Sequence, residues 1–190
     1  MDSFFIRNEQ PQDISAVFAV NLEAFAHDSE ARLVDALRNT GEFDPELSLV
    51  AVHNDRIIGH ILFPAIVIET SEGDVPALAL SPLVVHPEFQ CRGAGSALIE
   101  EGLNVCREYG HRIVVVIGHP GYYPKFGFVP ATEHGIRASF PVDDKVFMAL
   151  ALVPGALDTI RGIVKYSEPF HSIVGYGDCI GKKVNPALKC

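Results

Sequence analysis

A glycine loop between a strand-like run and a helix-like run is the feature that most constrains this chain. The segment reads LVVHPEFQCRGAGSALIE, from Leu83 to Glu100. An apolar β-prone run, then Gly93 and Gly95, then apolar residues at helical spacing predict a strand, a loop and a helix. A strand joined to a helix in this way indicates a central sheet with helices packed on it.

The loop itself is predicted to hold an anion. Backbone N–H groups in the first turn of a helix have no partner inside the helix, and the helix dipole makes this end positive. A phosphate or pyrophosphate would suit these donors. Gly93 and Gly95 allow close approach of the backbone, and Arg92 can add a charge-assisted contact. The loop lacks the Gly-Lys-Ser/Thr ending of a Walker loop, and Leu98 follows where a dinucleotide loop has its third glycine.

The rest of the chain predicts a mixed α/β (α+β) domain. Hydrophobic residues make up 48% of the 190 residues and charged residues 21%, which is typical of a globular protein with an ample core. In the first half of the chain, the pattern predicts a strand at 4–7, helices at 11–25 and 28–39, a hairpin from 47 to 63 whose second arm continues to 69, and a loop at 70–76. In the second half, it predicts a strand at 77–85, a helix at 96–109, a strand at 112–117, a turn-rich segment at 121–128 and a strand at 146–153. The predicted apolar face of the first helix contains Ile14, Val17, Phe18, Leu22 and Phe25.

Charge and cysteine usage exclude several classes of protein. The net charge is -9 and no Lys/Arg cluster occurs, so we expect no nucleic-acid partner. No Cys-x-x-Cys pair occurs among Cys91, Cys106, Cys179 and Cys190, so no metal site is predicted and we expect reduced thiols. The first ten residues do not have the pattern of a secretory signal, and no apolar run reaches about 20 residues. We therefore expect a cytoplasmic protein without a membrane partner.

The glycine loop and a second motif together resemble the GNAT superfamily of N-acetyltransferases. The loop has the pattern Gln-x-x-Gly-x-Gly at Gln90, Gly93 and Gly95, directly after a strand. Downstream, YYPKFGF from Tyr122 to Phe128 looks like the tyrosine and Gly-Phe segment of that family. The resemblance implies a GNAT-like acyl-CoA N-acyltransferase fold, with a central mixed, mostly antiparallel sheet, splayed fourth and fifth strands, and helices on both faces. We expect this domain at 1–153 and a C-terminal extension at 154–190 that packs on the domain or on a partner.

The resemblance also implies a substrate pair and a set of site residues. The enzyme would move an acetyl group from acetyl-CoA to a primary amine, by direct attack on the thioester. Tyr123 aligns with the family's general acid, because it stands four residues before Gly127; Tyr122 is the alternative acid, and His119 is a further catalytic candidate. The coenzyme-binding residues implied are Leu83, Val84, Val85, Gln90, Cys91, Arg92, Gly93, Ala94, Gly95, Ser96, His119, Tyr123 and Phe126.

The general base and the acceptor stay open. Many family members carry a carboxylate on the fourth strand, but the corresponding run here is Leu-Ala-Leu-Ser at 78–81. Glu23, His27, His86 and His119 are the candidate bases. Without a base, the chain could instead be a non-catalytic acyl-CoA-binding sensor or interaction module. The acceptor could be a small molecule or a peptide amine, and the resemblance also allows a homodimer.

Overall fold

The computed structural model describes residues 3–25 and 27–172, which form a sheet-rich domain with four α-helices. The strands are β1 (Phe5–Asn8), β2 (Ser48–His53), β3 (Arg56–Leu62), β4 (Ala65–Thr70), β5 (Gly73–Ala79), β6 (Leu83–Val85), β7 (Ile113–Ile117), β8 (Val129–Pro130), β9 (Ile136–Ala138), β10 (Phe147–Ala151) and β11 (Gly162–Lys165). The helices are α1 (Ile14–Phe25), α2 (Ser29–Leu37), α3 (Ala94–Glu108) and α4 (Glu168–Ser172), with short 3-10 turns between elements.

The strands form two sheets. One has the order β1-β2-β3-β6, and the other has the order β8-β10-β7-β5-β4-β11-β9. Only the pairs β5–β7 and β9–β11 are parallel; the remaining described pairs are antiparallel. The predicted mixed and mostly antiparallel sheet is therefore confirmed.

The strand expected at 77–85 is divided between the two sheets. The amide of Leu80 donates to the carbonyl of Val115 on β7, at 2.8 Å, but the amide of Ser81 donates to the carbonyl of Leu62 on β3, at 3.0 Å. The chain thus leaves β7 after Leu80 and continues as β6 on β3. This confirms the splay, because β6 and the end of β7 run on without pairing to each other. The prediction of a loop at 70–76 was wrong, because a tight turn after Thr70 leads the chain into β5 at Gly73.

Helices pack on both faces of the sheets, as predicted. One core contains side chains of α1 and α2 and the buried residues Val84, Val115 and Phe147. The other contains side chains of α3 together with Leu83, Val85, Val116 and both adjacent tyrosines. Alternate residues of β6 therefore point into different cores, as the pleat of a strand requires.

The buried face of α1 differs from the predicted one. Val17, Val20 and Asn21 are buried, but Ile14 and Leu22 are each 41% exposed. Asn21 is accepted in the core because its amide nitrogen donates to the carbonyl of Val17, at 2.8 Å, and lies 3.3 Å from Nδ1 of His60. Docking of the helix on the sheet, rather than apolar periodicity alone, selected this face.

A buried histidine ties the first sheet to both N-terminal helices. His60 on β3 is fully buried, and its Nε2 lies 3.0 Å from Oγ of Ser48. Ser48 in turn donates to Glu9, which also binds Arg38 at the end of α2. Desolvation, followed by the positive charge of Arg38, lowers the pKa of His60 to about 3. The imidazole is therefore neutral in the folded protein across the physiological pH range.

Residues 154–172, which were expected to begin a C-terminal extension, contribute β11 and α4 to the fold. β11 pairs with β4 and β9, and Leu157, Val164 and Phe170 are buried in the same core as α1 and α2. Residues 173–190 of that extension lie outside the described residues. Within the described ranges, no helix is both long and apolar enough to span a membrane.

Candidate active site

The glycine loop is fastened to the end of β6. A 3-10 turn at Pro87–Phe89 follows the strand, and Nε2 of Gln90 donates to the carbonyl of Val85, at 2.9 Å. Cys91 and Gly93 have positive φ angles of 60° and 93°. Such left-handed residues in a loop turn successive amides toward one side, which makes an anion-binding concavity. The side chain of Gln90 thus shapes the loop.

The first turn of α3 offers free amides beside this concavity. Gly93 is the N-cap, and the first helical hydrogen bond that includes it runs from the amide of Ala97 to the carbonyl of Gly93, at 3.0 Å. The amides of residues 94–96 precede that bond and so have no acceptor within the helix. A Cβ atom on Gly93 would have nothing within 4 Å. Nothing therefore crowds the loop at Gly93, and the donors of the helix start fit a phosphate group.

Two cysteines in this region differ in state. Cys106 of α3 is a buried free thiol, and its burial raises the pKa to about 12. Cys91, which is exposed on the loop, is disulfide-bonded. The expectation of reduced thiols is thus wrong for Cys91, because an exposed loop sulfur is accessible to a second cysteine and spacing in the sequence does not reveal such a pairing.

The open edge of β6 carries peptide groups that face away from β3. The amide of His86 donates to Ile58, at 2.8 Å, and the amide of Leu62 donates to Pro82, at 3.1 Å. Because antiparallel pairing alternates along a strand, the peptide groups of Leu83 and Val85 point to the other side. Val84 instead turns its peptide groups toward β3. Of the three strand residues expected to bind the coenzyme, Leu83 and Val85 therefore have the orientation that a backbone contact requires.

The tyrosine segment lies in the same core as Leu83 and Val85. Tyr122 and Tyr123 are 5% and 3% exposed, and their rings meet edge to face at 5.4 Å. The side chain of Ser96, in the first turn of α3, hydrogen-bonds Tyr122. Burial raises the pKa of Tyr122, with a smaller contribution from the charge of Glu100. The structure therefore brings the two motifs of the sequence into contact.

Tyr123 lies directly on the backbone at the end of β7. A Cβ atom built on Gly118 would come within 2.0 Å of Cε2 of this tyrosine, so the ring needs a glycine at that position. Phe128 packs edge to face on the same ring at 5.6 Å, and Phe126 packs on Tyr122 at 5.5 Å. Nothing in the sequence marks Gly118 as part of the site, because a glycine after a strand is an ordinary turn signal.

His119 is arranged to donate a hydrogen bond from Nε2. Its Nδ1 accepts from the amide of Gly121, at 3.0 Å. In a neutral ring the proton then resides on Nε2. Nε2 can therefore donate a hydrogen bond but has no lone pair to take a proton. This geometry supports the coenzyme contact expected of His119 and disfavours it as a base.

His86 and Glu23 belong to an ionic cluster at the end of β6. The amide of Glu88 donates to Nδ1 of His86, at 3.2 Å, and Nε2 of the ring lies 2.8 Å from Oε2 of Glu23. Arg56 lies beside both, 2.6 Å from Nε2 of His86 and 4.0 Å from Glu23. These contacts hold the end of α1 next to the loop. They also occupy both ring nitrogens of His86, which disfavours it as a base.

His27 is arranged differently from the other three candidate bases. Its Nδ1 lies 2.9 Å from Oε2 of Glu30, although the angles at the two atoms do not meet those of a hydrogen bond. Glu30 is 7% exposed, and burial raises its pKa, which His27 opposes. An imidazole whose Nδ1 faces a carboxylate can keep Nε2 available to accept a proton. His27 lies between the end of α1 at Phe25 and the start of α2 at Ser29.

The division of one strand between two sheets, beside a glycine loop at the start of α3, is the arrangement expected of a GNAT-type acyltransferase. Residues 5–131 match the family model of the Acetyltransferase (GNAT) domain. The chain belongs to this family and is a GNAT-type N-acetyltransferase.

Relatives support the same class. The chain is 32% identical over 167 residues to the N-acetyltransferase YhbS of Escherichia coli, covering 87% of this chain and 98% of that protein. It is 35% identical over 162 residues to YjhQ of the same organism, with 83% and 88% covered. The crystal structure of YhbS in complex with CoA has a TM-score of 0.82, covering 88% of this chain and 92% of that one. A GNAT family acetyltransferase from Brucella melitensis, in complex with acetyl-CoA, has a TM-score of 0.73 at 32% identity, with 90% and 99% covered.

Proposed function

We propose that this protein binds acetyl-CoA at the glycine loop and transfers the acetyl group to a primary amine by direct attack. The observation that carries the proposal is the open edge of β6. The peptide groups of Leu83 and Val85 face this edge, which ends at the free amides of residues 94–96. An extended pantetheine arm can add to such an edge in the manner of a strand, while the pyrophosphate lies at the start of α3. The two homologous structures that hold CoA and acetyl-CoA support this assignment.

The chemistry needs a neutral amine, a stabilised carbonyl oxygen and a proton for the leaving thiolate. The amine nitrogen forms a bond to the thioester carbon, and the bond from that carbon to sulfur breaks. The amide of Val85 can donate to the carbonyl oxygen, which gains negative charge during attack. Tyr123 donates its phenolic proton to the thiolate, and Tyr122 is the alternative donor. His119 donates from Nε2 to the coenzyme, and Phe126 supports the tyrosine pair.

For the general base, the geometry favours His27. Of the four candidates, it alone has Nδ1 beside a buried carboxylate, 2.9 Å from Oε2 of Glu30, while its ring is partly exposed to solvent. Its Nε2 would take the proton that the attacking amine loses, and Glu30 would orient the ring as a positioning residue. His27, at the junction of α1 and α2, would then replace the carboxylate that is missing from the fourth strand.

Calorimetry followed by a thiol-release assay tests the proposed function. Acetyl-CoA and CoA should both bind the purified protein, NAD should not, and addition of an amine acceptor should release free thiol from acetyl-CoA. Absence of CoA binding would remove the coenzyme site. Binding without thiol release from any amine would leave only a coenzyme-binding module.

A further inference from the structure

A cavity lies where the two edges of the seven-stranded sheet approach each other. The edge strands are β8 and β9, which a single 3-10 turn at Ala131–His134 connects. The sheet must therefore curl so that its edges come close. A cavity of about 390 Å³ occupies this region, lined by β9, by the following loop and by the start of β10. Its volume falls in the range of about 300–1,000 Å³ that is usual for small-molecule sites.

The lining of the cavity combines apolar walls with two opposite charges. Phe140, Pro141 and Val142 supply the apolar surface, and the exposed side chains of Arg137 and Asp144 supply the charges. Within the part of the chain that the structure describes, Arg137 and Asp144 have no ion-pair partner. A guanidinium binds a carboxylate in two parallel hydrogen bonds, and a carboxylate attracts an ammonium group. The lining is thus complementary to a ligand that carries both charges beside an apolar group.

The cavity is one strand away from the opening between β6 and β7. Phe147, which lines the cavity, is the cross-strand partner of Ile117 at the end of β7. Neighbouring strands lie about 4.8 Å apart. Ile117 is already beyond Val115, the last residue of β7 that pairs with β5. A ligand in the cavity is therefore beside the part of β7 where the sheet has opened.

The cavity and the anion-binding loop lie on opposite faces. Phe147 and Ile117 belong to the core that contains α1 and α2, whereas the loop leads into α3, which packs in the other core with Tyr123. A coenzyme bound on the α3 side leaves its thioester accessible to a second substrate from the α1 side, through the opening.

We propose that this cavity is the acceptor site and that the acceptor is a small zwitterion, namely a primary amine that carries a carboxylate and an apolar group, as an apolar amino acid does. Arg137 binds the carboxylate, Asp144 attracts the ammonium form, and the apolar group packs on Phe140 and Val142. This inference rests on the proposed acetyl transfer and identifies the class of its second substrate.

Matched amines test the inference in the intact enzyme. Thiol release is measured with phenylalanine and phenethylamine, and with leucine and isoamylamine, since the members of each pair differ only in the carboxylate. We expect a higher kcat/KM for both amino acids. Arg137→Gln should lower kcat/KM for the amino acids about ten- to a hundredfold, as expected for loss of a charged hydrogen bond, and leave the two simple amines within about twofold. Arg137→Lys should restore part of the preference.

Two further variants separate the charges and control for surface effects. Asp144→Asn should raise KM for all four amines, because each carries an ammonium group. Arg112→Gln, at the opposite end of β7, should change none of these values. Calorimetry should give the same Kd for acetyl-CoA in the wild type and in all of these variants.

Several outcomes would overturn the inference. These are equal kcat/KM within the pairs, a carboxylate preference that survives Arg137→Gln, and no transfer to any of the four amines by protein that binds acetyl-CoA. Each of these leaves the coenzyme site intact. Failure to bind acetyl-CoA at all would instead overturn the proposed function, and the acceptor site with it.

Discussion

The ring of Tyr123 rests against the backbone of Gly118, so closely that a Cβ atom on the glycine would lie 2.0 Å from Cε2 of the tyrosine. Gly118 directly follows β7, and its amide donates to the carbonyl of Val146, at 2.9 Å. The end of the strand therefore cannot move away from the ring without losing a hydrogen bond. Gly118 fixes where the tyrosine hydroxyl can lie.

Gly118→Ala should consequently displace Tyr123 and slow the chemical step. We expect kcat to fall toward the value of a variant that lacks the acid, with the Kd of acetyl-CoA within about threefold of the wild type, because the loop is unchanged. Gly41→Ala is the matched control, since its Cβ would meet nothing within 4 Å. Unchanged kcat in Gly118→Ala would show that the placement of Tyr123 does not matter for catalysis.

The two tyrosines can be separated by single substitutions. If Tyr123 is the general acid, Tyr123→Phe should lower kcat about a hundredfold and keep the affinity for acetyl-CoA. Tyr122→Phe loses only the hydrogen bond with Ser96 and should keep kcat within about threefold. The reverse pattern in steady-state kinetics would assign the acid to Tyr122.

The loop can be tested with two glycines that share one backbone conformation. Gly93 and Gly110 have φ angles of +93° and +80°, and a Cβ on either would meet nothing within 4 Å. Alanine at each should lower the free energy of unfolding by about 1–2 kcal/mol, because left-handed backbone is strained with a Cβ. Only Gly93→Ala should also weaken binding of acetyl-CoA, measured by calorimetry. Equal affinities in the two variants would argue against an anion site at Gly93.

His27 and Glu30 should control how the rate depends on pH. Without the base, the enzyme can use only the neutral fraction of the amine, which grows as pH rises. His27→Gln should therefore reduce kcat/KM about a hundredfold near neutral pH, and the deficit should narrow at high pH. Glu30→Gln should show a smaller deficit with the same pH trend, as expected for a positioning residue. A deficit that is constant from pH 6 to pH 10 would contradict the assignment of His27 as base.

The buried imidazole of His60 should make the protein less stable in acid. Unfolded His60 takes up a proton near its ordinary pKa of about 6.5, whereas the folded ring stays neutral down to about pH 3. Between these values the unfolded state holds more protons, so the free energy of unfolding falls as pH falls, by at most about 1.4 kcal/mol per pH unit from this group. Above about pH 6.5 the group contributes no pH dependence.

Urea unfolding of His60→Gln between pH 7.5 and pH 5 measures this contribution. The variant should be less stable at pH 7.5, because it disturbs the contacts with Ser48 and Asn21, but its stability should decline less steeply with acid. His171→Gln, which replaces an exposed histidine, should keep the wild-type slope. A wild-type slope in His60→Gln would mean that the ring is protonated in the folded state.

Local chemistry in the sequence was sufficient to predict the glycine loop before α3 and the turn-rich tyrosine segment. The conformation of a glycine before a helix depends on its neighbours in the chain, and so does that of a short apolar strand. Gly93, α3 and β7 could therefore be predicted from their own residues. The pairing of Tyr122 with Ser96 could not, since the two residues come together only when α3 and the segment after β7 pack in one core.

The sequence by itself determined the main helices and strands and the family, and the tertiary structure decided how they are joined. The residues Leu80 and Ser81 do not by themselves predict that one strand changes sheets between them. Strand pairing depends on their partners Val115 and Leu62, which are distant in sequence. The buried face of α1 and the cavity beside Arg137 depend on docking in the same way. Local backbone preferences extend over a few residues, whereas pairing, burial and charge complementarity are interactions between distant segments, and only the folded chain satisfies them together.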